Sequence, residues 1–189
     1  YVKFSKTDNK KYFLFSVLSV IIAVFSSEEA VTLPLLIVLY EFCFNGEKFK
    51  KDELKNKIIK NYAPYFAIAL FYIVIRFFFI GVRGRVEEYL AGNFFLTMLT
   101  MLKAYVNYIY LLIFPLNLTL FHDINAATSL FDFNVLISAL ILIAIFFFTI
   151  RHYKNKVLFF SVFWFFITLI PMSNILPLQV FMAERYLYA

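Results

Sequence analysis

Apolar runs near residues 12–26, 30–44, 62–80, 130–150 and 157–170 alternate along the chain with short polar segments. Runs of this kind predict membrane-spanning helices. The first, Tyr12 to Phe25, covers about 14 residues, roughly 21 Å of helix against a hydrocarbon core of roughly 30 Å, so it must borrow residues from its flanks. Ser26, Ser27, Glu28 and Glu29 interrupt it, and Ala30 to Phe44 resumes it with Pro34 near the start. Proline is tolerated there because the first amides of a helix have no intrahelical partner. The pattern predicts a tight helical hairpin with two carboxylates at its apex. Tyr62 to Ile80 is a further span, with Arg76 about a turn from its outer end, where a long side chain can snorkel toward the interface. Pro171 follows the run that ends at Ile170, where a membrane helix runs out of bilayer, and the polar Ser173, Asn174 and Gln179 beyond it are expected to meet water.

The polar segments set the orientation. Lys3, Lys6, Lys10 and Lys11 precede the first run; Lys48, Lys50, Lys51, Lys55, Lys57 and Lys60 fill the loop expected at residues 45–61; Arg151, Lys154 and Lys156 separate the last two runs. Residues 94–114 are also apolar but carry Lys103, Tyr105, Asn107, Tyr108 and Tyr110. If this segment crossed the bilayer, Arg151, Lys154 and Lys156 would lie outside. If it lies in the interface or re-enters, all three basic clusters face the cytoplasm and the segment at 115–131, which has no Lys or Arg, faces outward. The preferred expectation is therefore an all-α, polytopic transmembrane bundle of about five spans with an interfacial or re-entrant helix near 94–114. In a Cys43→Ser background, Lys51→Cys and Lys154→Cys are expected to resist an impermeant thiol reagent in intact cells, whereas Asn125→Cys reacts. Labelling at position 154 but not at 125 would overturn this arrangement.

Composition excludes a water-soluble domain: 63% of the 189 residues are hydrophobic, 22% are aromatic, and the mean hydropathy is +0.81. The net charge of +6 is no nucleic-acid footprint, because the basic residues fall in short clusters between apolar runs. Cys43, the one cysteine, lies within an apolar run and is expected to act as a small buried residue. No internal repeat or soluble-domain linker interrupts the chain, so one membrane domain accounts for residues 1–189.

Two stretches carry more than hydropathy. Near the end stand Pro177-Leu178-Gln179 and Met182-Ala183-Glu184-Arg185-Tyr186-Leu187-Tyr188; upstream is Ser26-Ser27-Glu28-Glu29-Ala30-Val31-Thr32-Leu33-Pro34. In this order they resemble the signatures of the C-type multipass membrane glycosyltransferases with trailing tetratricopeptide repeats, relatives of the protein O-mannosyltransferases. The resemblance implies transfer of a sugar from a polyprenyl-phosphate donor to an extracytoplasmic protein or glycan acceptor, by an integral protein of the plasma (inner) membrane whose active site faces outward. It also implies that the chain is an internal portion of a longer protein, with the catalytic acidic residue upstream of residue 1 and the repeats downstream. Where the family pattern has Lys between Ser and Glu, this chain has Ser27, so a phosphate role expected of that lysine does not carry over; Glu28 does match the family's acidic position.

With that topology Glu28, Arg83, Arg85, His122, Asp123, Glu184 and Arg185 share the extracytoplasmic face and are the candidate donor-phosphate or substrate-binding groups. Arginines at headgroup depth can clamp a phosphate bidentately while a carboxylate takes the acceptor's proton. No redox cofactor is required. A divalent metal is conceivable at His122-Asp123, but the pair has no ligand-spaced companions and more often belongs to a loop or helix cap. Arg83 and Arg85, with Glu87 and Glu88, equally suit a solvated loop of weak surface pairs, and Glu184-Arg185 an interfacial charge pair. A transporter or lipid flippase would also explain charges at membrane depth, although no inverted repeat is visible; a noncatalytic membrane anchor is the third reading.

Overall fold

A computed structural model of the chain describes residues 1–7, 9–45, 51–76, 78, 88, 89, 91–116, 119, 122, 124–178 and 180–187, with the backbone alone for 51–60. The described residues are all-helical, without strands. The helices are α1 (Val2–Thr7), α2 (Lys10–Ser26), α3 (Leu33–Phe44), α4 (Lys51–Ile75), α5 (Phe94–Ile113), α6 (Phe133–Arg151) and α7 (Lys156–Thr168). Short 3-10 turns lie at Glu28–Thr32, Ile170–Met172 and Glu184–Leu187. The chain divides into two compact units, Tyr1–Val82 with Asn155–Thr168, and Arg83–Lys154 with Leu169–Ala189.

In the first unit α2 and α3 form the expected hairpin. The 3-10 turn at Glu28–Thr32 makes its apex, and Pro34 sits in the first turn of α3, where it breaks no hydrogen bond. α2 packs on α4, and α3 on α4 and α7. Val20, Val24, Ile37, Tyr62, Tyr65 and Tyr72 form the core. Its polar atoms are paired: Tyr65 donates to Ser16 Oγ at 2.9 Å, and Glu41 accepts from Tyr1 at 3.0 Å, Ser5 at 3.1 Å and Asn45 Nδ2 at 3.1 Å. Burial, and then the neighbouring Tyr62 and Glu41, push the Tyr1 hydroxyl well above the usual phenol range, so it stays a donor to Glu41. Cys43 is buried and free, as expected.

The lysine-rich stretch departs from expectation. From Lys51 onward it is the first part of α4, not loop. Lys, Glu and Leu, which recur through this stretch, are good helix formers. The expected span at 62–80 is helical to Ile75, and a wider π-type turn follows at Arg76.

The second unit is built on α5 and α6, capped by Asn93, which accepts from Leu96 N–H, and by Asp132, which accepts from Asn134 N–H. Leu99, Ala127 and Val135 pack between them. Lys103 is only 8% exposed; it donates to Asn125 O and lies 3.6 Å from Asp132 Oδ2, so the α6 cap also neutralises the buried ammonium. α5 buries Thr97, Thr100 and Lys103 while Phe94, Phe95, Leu112 and Ile113 stay exposed, and α6 leaves Leu140, Ile143 and Phe147 exposed. Exposed apolar side chains along both helices are the surface expected of helices solvated by lipid.

α5 and α6 are long and apolar enough to cross a membrane. α2, α3 and α7 have 17, 12 and 13 residues, so five spans do not follow from helix length. α5, expected in the interface, is one of the two helices among the described residues that meet the length and hydropathy requirement. Pro171 lies in the 3-10 turn after α7, where the chain leaves the helix as expected. Ser173 and Asn174 were expected to meet water, and both are instead buried; Gln179 lies outside the described residues. Asn174, 1% exposed at φ 55°, accepts from Leu178 N–H at 2.9 Å and donates to Val180 O at 3.3 Å. Asparagine tolerates this left-handed backbone, and its amide replaces the water that the turn would otherwise need.

Candidate functional site

The Met182–Leu187 stretch is positioned by α5. The hydroxyl of Tyr108, itself 1% exposed, accepts from Ala183 N–H at 3.1 Å and lies 3.3 Å from Ala183 O, so one phenol serves both polar groups of that residue. Met182 and Ala183 are fully buried. The 3-10 turn that begins at Glu184 therefore starts from an anchored backbone.

From that anchor Glu184 reaches His122. Its Oε1 lies 2.9 Å from His122 Nε2 and also accepts from Thr119 N–H, and its side chain is 12% exposed. His122 N–H donates to Met182 O at 3.3 Å, and Thr119 Oγ1 lies 3.4 Å from His122 Nε2. A carboxylate accepts and cannot donate, so Nε2 carries the hydrogen at this contact. Thr119 and His122, with Asn107, Tyr110, Leu111, Leu116 and Met182, line a cavity of about 370 Å³.

Glu184 and Arg185, neighbours in sequence, diverge in space. Arg185 is exposed; its guanidinium lies over the Tyr186 ring at 5.2 Å, with Nη2 3.4 Å from the Tyr186 hydroxyl. The structure thus brings together His122 and Glu184, separated by 62 residues, and places Arg185 beside an aromatic ring.

No family model, curated protein or solved structure matches this chain.

Glu28 belongs to the first unit, where its carboxylate pairs with Arg76, which also donates to Tyr72 Oη at 3.3 Å. Arg76 was expected to snorkel; instead it ties the end of α4 to the hairpin apex. Its Nε is buried without a hydrogen-bond partner among the described residues. Arg83, Arg85, Glu87 and Asp123 lie outside the described residues, as does Asn117 of Asn117-Leu118-Thr119, which matches the frequent three-residue pattern of an N-glycosylation acceptor. Among the described residues no three His, Cys, Asp or Glu side chains converge; His122 and Glu184 would offer a cation two donors.

Three participants escaped the sequence reading. Asn107, Tyr108 and Tyr110 registered there only as polar residues that weaken 94–114 as a span. A signal existed in the spacing of Lys103, Asn107 and Tyr110, four and three residues apart and hence on neighbouring positions of one helix face. Nothing local indicated that Tyr108 would meet Ala183.

Proposed function

We propose that this protein is a polytopic membrane glycosyltransferase of the C-type class, moving a sugar from a polyprenyl-phosphate donor to a hydroxyl of an extracytoplasmic acceptor. The reading takes its reaction class from the two sequence signatures. One structural observation supports it best: Glu184 of the second signature is held by an anchored backbone and engages His122 beside a cavity, an arrangement that a mere interfacial charge pair does not require. In this reading the exposed apolar helix surfaces face lipid, the three basic clusters face the cytoplasm, and five spans with α5 in the interface carry Glu28, His122, Glu184 and Arg185 to the outer side. The shorter helices α2, α3 and α7 are completed by their flanks or cross a locally thinned bilayer. The polyprenyl chain lies in lipid, and Arg185 meets the donor phosphate with its planar fork.

The test is transfer of radiolabelled sugar from polyprenyl-phosphate donors to acceptor protein by membranes containing the full-length protein. Arg185→Lys keeps the charge and loses the fork, and is expected to lower transfer about tenfold to a hundredfold, the value of one charge-assisted hydrogen bond. Parental transfer by this variant would remove Arg185 from the site. Lipid scrambling by the purified protein, with no transfer from any donor, would instead support a transporter.

A further inference from the structure

The cavity in the second unit has a lining that selects among the parts of such a substrate. Its described walls supply a carboxamide from Asn107, a hydroxyl from Thr119, an imidazole from His122 and an aromatic ring from Tyr110, with Leu111, Leu116 and Met182 as apolar floor. None of these is a Lys or Arg. Thr119 and His122 are moreover the two residues held by the Glu184 carboxylate, whose negative charge disfavours a phosphate at their side. Hydroxyl-matched donors and acceptors combined with an aromatic face suit an uncharged ring that carries hydroxyls on its rim and C–H groups on its faces. A volume of about 370 Å³ lies at the lower end of the roughly 300–1,000 Å³ of small-molecule sites, which fits one such ring and not an extended glycan.

We propose that this cavity is the binding site for a single uncharged hexosyl ring, with Asn107 and His122 bonding its hydroxyls and Tyr110 covering one face, and that the anionic part of the donor lies outside it. The proposal rests on the glycosyltransferase reading for the ring's role and deepens it by assigning residues that neither sequence signature contains. Glu184 acts in it as a positioning residue, holding His122 and the Thr119 backbone at the cavity wall.

The experiment uses the full-length protein in lipid nanodiscs, with methyl α-mannopyranoside, methyl α-glucopyranoside and inorganic phosphate as probes, read by saturation-transfer NMR and titration calorimetry. At least one hexoside is expected to bind, and phosphate is expected not to compete with it. Asn107→Leu removes a donor and an acceptor and Tyr110→Ala removes the ring face; each is expected to weaken binding about tenfold. Asn107 and Tyr110 are both exposed, so neither change should alter the thermal midpoint. Absence of hexoside binding, binding indifferent to both substitutions, or competition by phosphate would each overturn the assignment. Parental sugar transfer without hexoside binding removes the cavity assignment and leaves the enzyme reading intact. Hexoside binding lost on Asn107→Leu, in a protein that transfers no sugar, supports the cavity and removes the enzyme reading.

Discussion

Glu184→Gln is expected to lower sugar transfer about tenfold to a hundredfold at unchanged membrane expression, because a charge-assisted hydrogen bond is worth about 1.5–3 kcal/mol. The substitution is nearly isosteric, and the glutamine carbonyl can still accept from Thr119 N–H. What disappears is the charge opposite His122 Nε2, and with it the preference for the ring orientation now held at 2.9 Å. The carboxamide oxygen in the place of Oε1 can keep both the Thr119 and the His122 contact, so the substitution isolates the loss of charge. A His122→Gln companion separates mechanism from packing. If the two side chains act as one unit, the double variant should be little worse than the poorer single one. Multiplicative losses would dissolve the pair, and parental activity of Glu184→Gln would exclude Glu184 from the site.

The second large effect is expected in stability. Tyr108→Phe removes one oxygen from a residue with almost no exposed surface and creates no cavity large enough to matter, yet it leaves Ala183 N–H and O in a buried place without their shared partner. Ala183 O keeps Tyr186 N–H at 3.1 Å, so the group left orphaned is the Ala183 amide, and a cost of about 1–3 kcal/mol is expected. The detergent-solubilised protein should then unfold several degrees lower. Transfer should fall as well, since the backbone that aims Glu184 at His122 is no longer held. An unchanged midpoint would mean that water or a shifted turn satisfies Ala183 and that Tyr108 does not set the position of Glu184. A lowered midpoint with parental transfer would confine Tyr108 to stability.

The hairpin of α2 and α3 was legible because its signals are local: two apolar runs too short to stand alone, a polar interruption carrying two carboxylates, and a proline where a helix can begin. The all-helical class and the approximate positions of α5, α6 and α7 followed from run length in the same way. The extension of α4 back to Lys51 was not legible from hydropathy, which registers solvation and is blind to a charged helix made of good helix formers. Ser173 and Asn174 misled for the opposite reason. Their polarity indicated water, and only the folded turn shows that Leu178 N–H and Val180 O occupy the amide of Asn174.

The candidate site divides along the same line. Sequence alone singled out Glu28, His122, Glu184 and Arg185, because charged and titratable groups next to apolar runs are costly and therefore conspicuous. It paired them by adjacency, His122 with Asp123 and Glu184 with Arg185, since nearness along the chain is the one relation it displays. Tertiary structure decided the partners otherwise: Glu28 with Arg76 across 48 residues, Glu184 with His122 across 62, and Ala183 with Tyr108 across 75. The physical reason is that a buried charge or backbone amide is satisfied by whatever donor or acceptor packing brings within about 3 Å, and packing follows shape and burial along whole helices, not order in the chain.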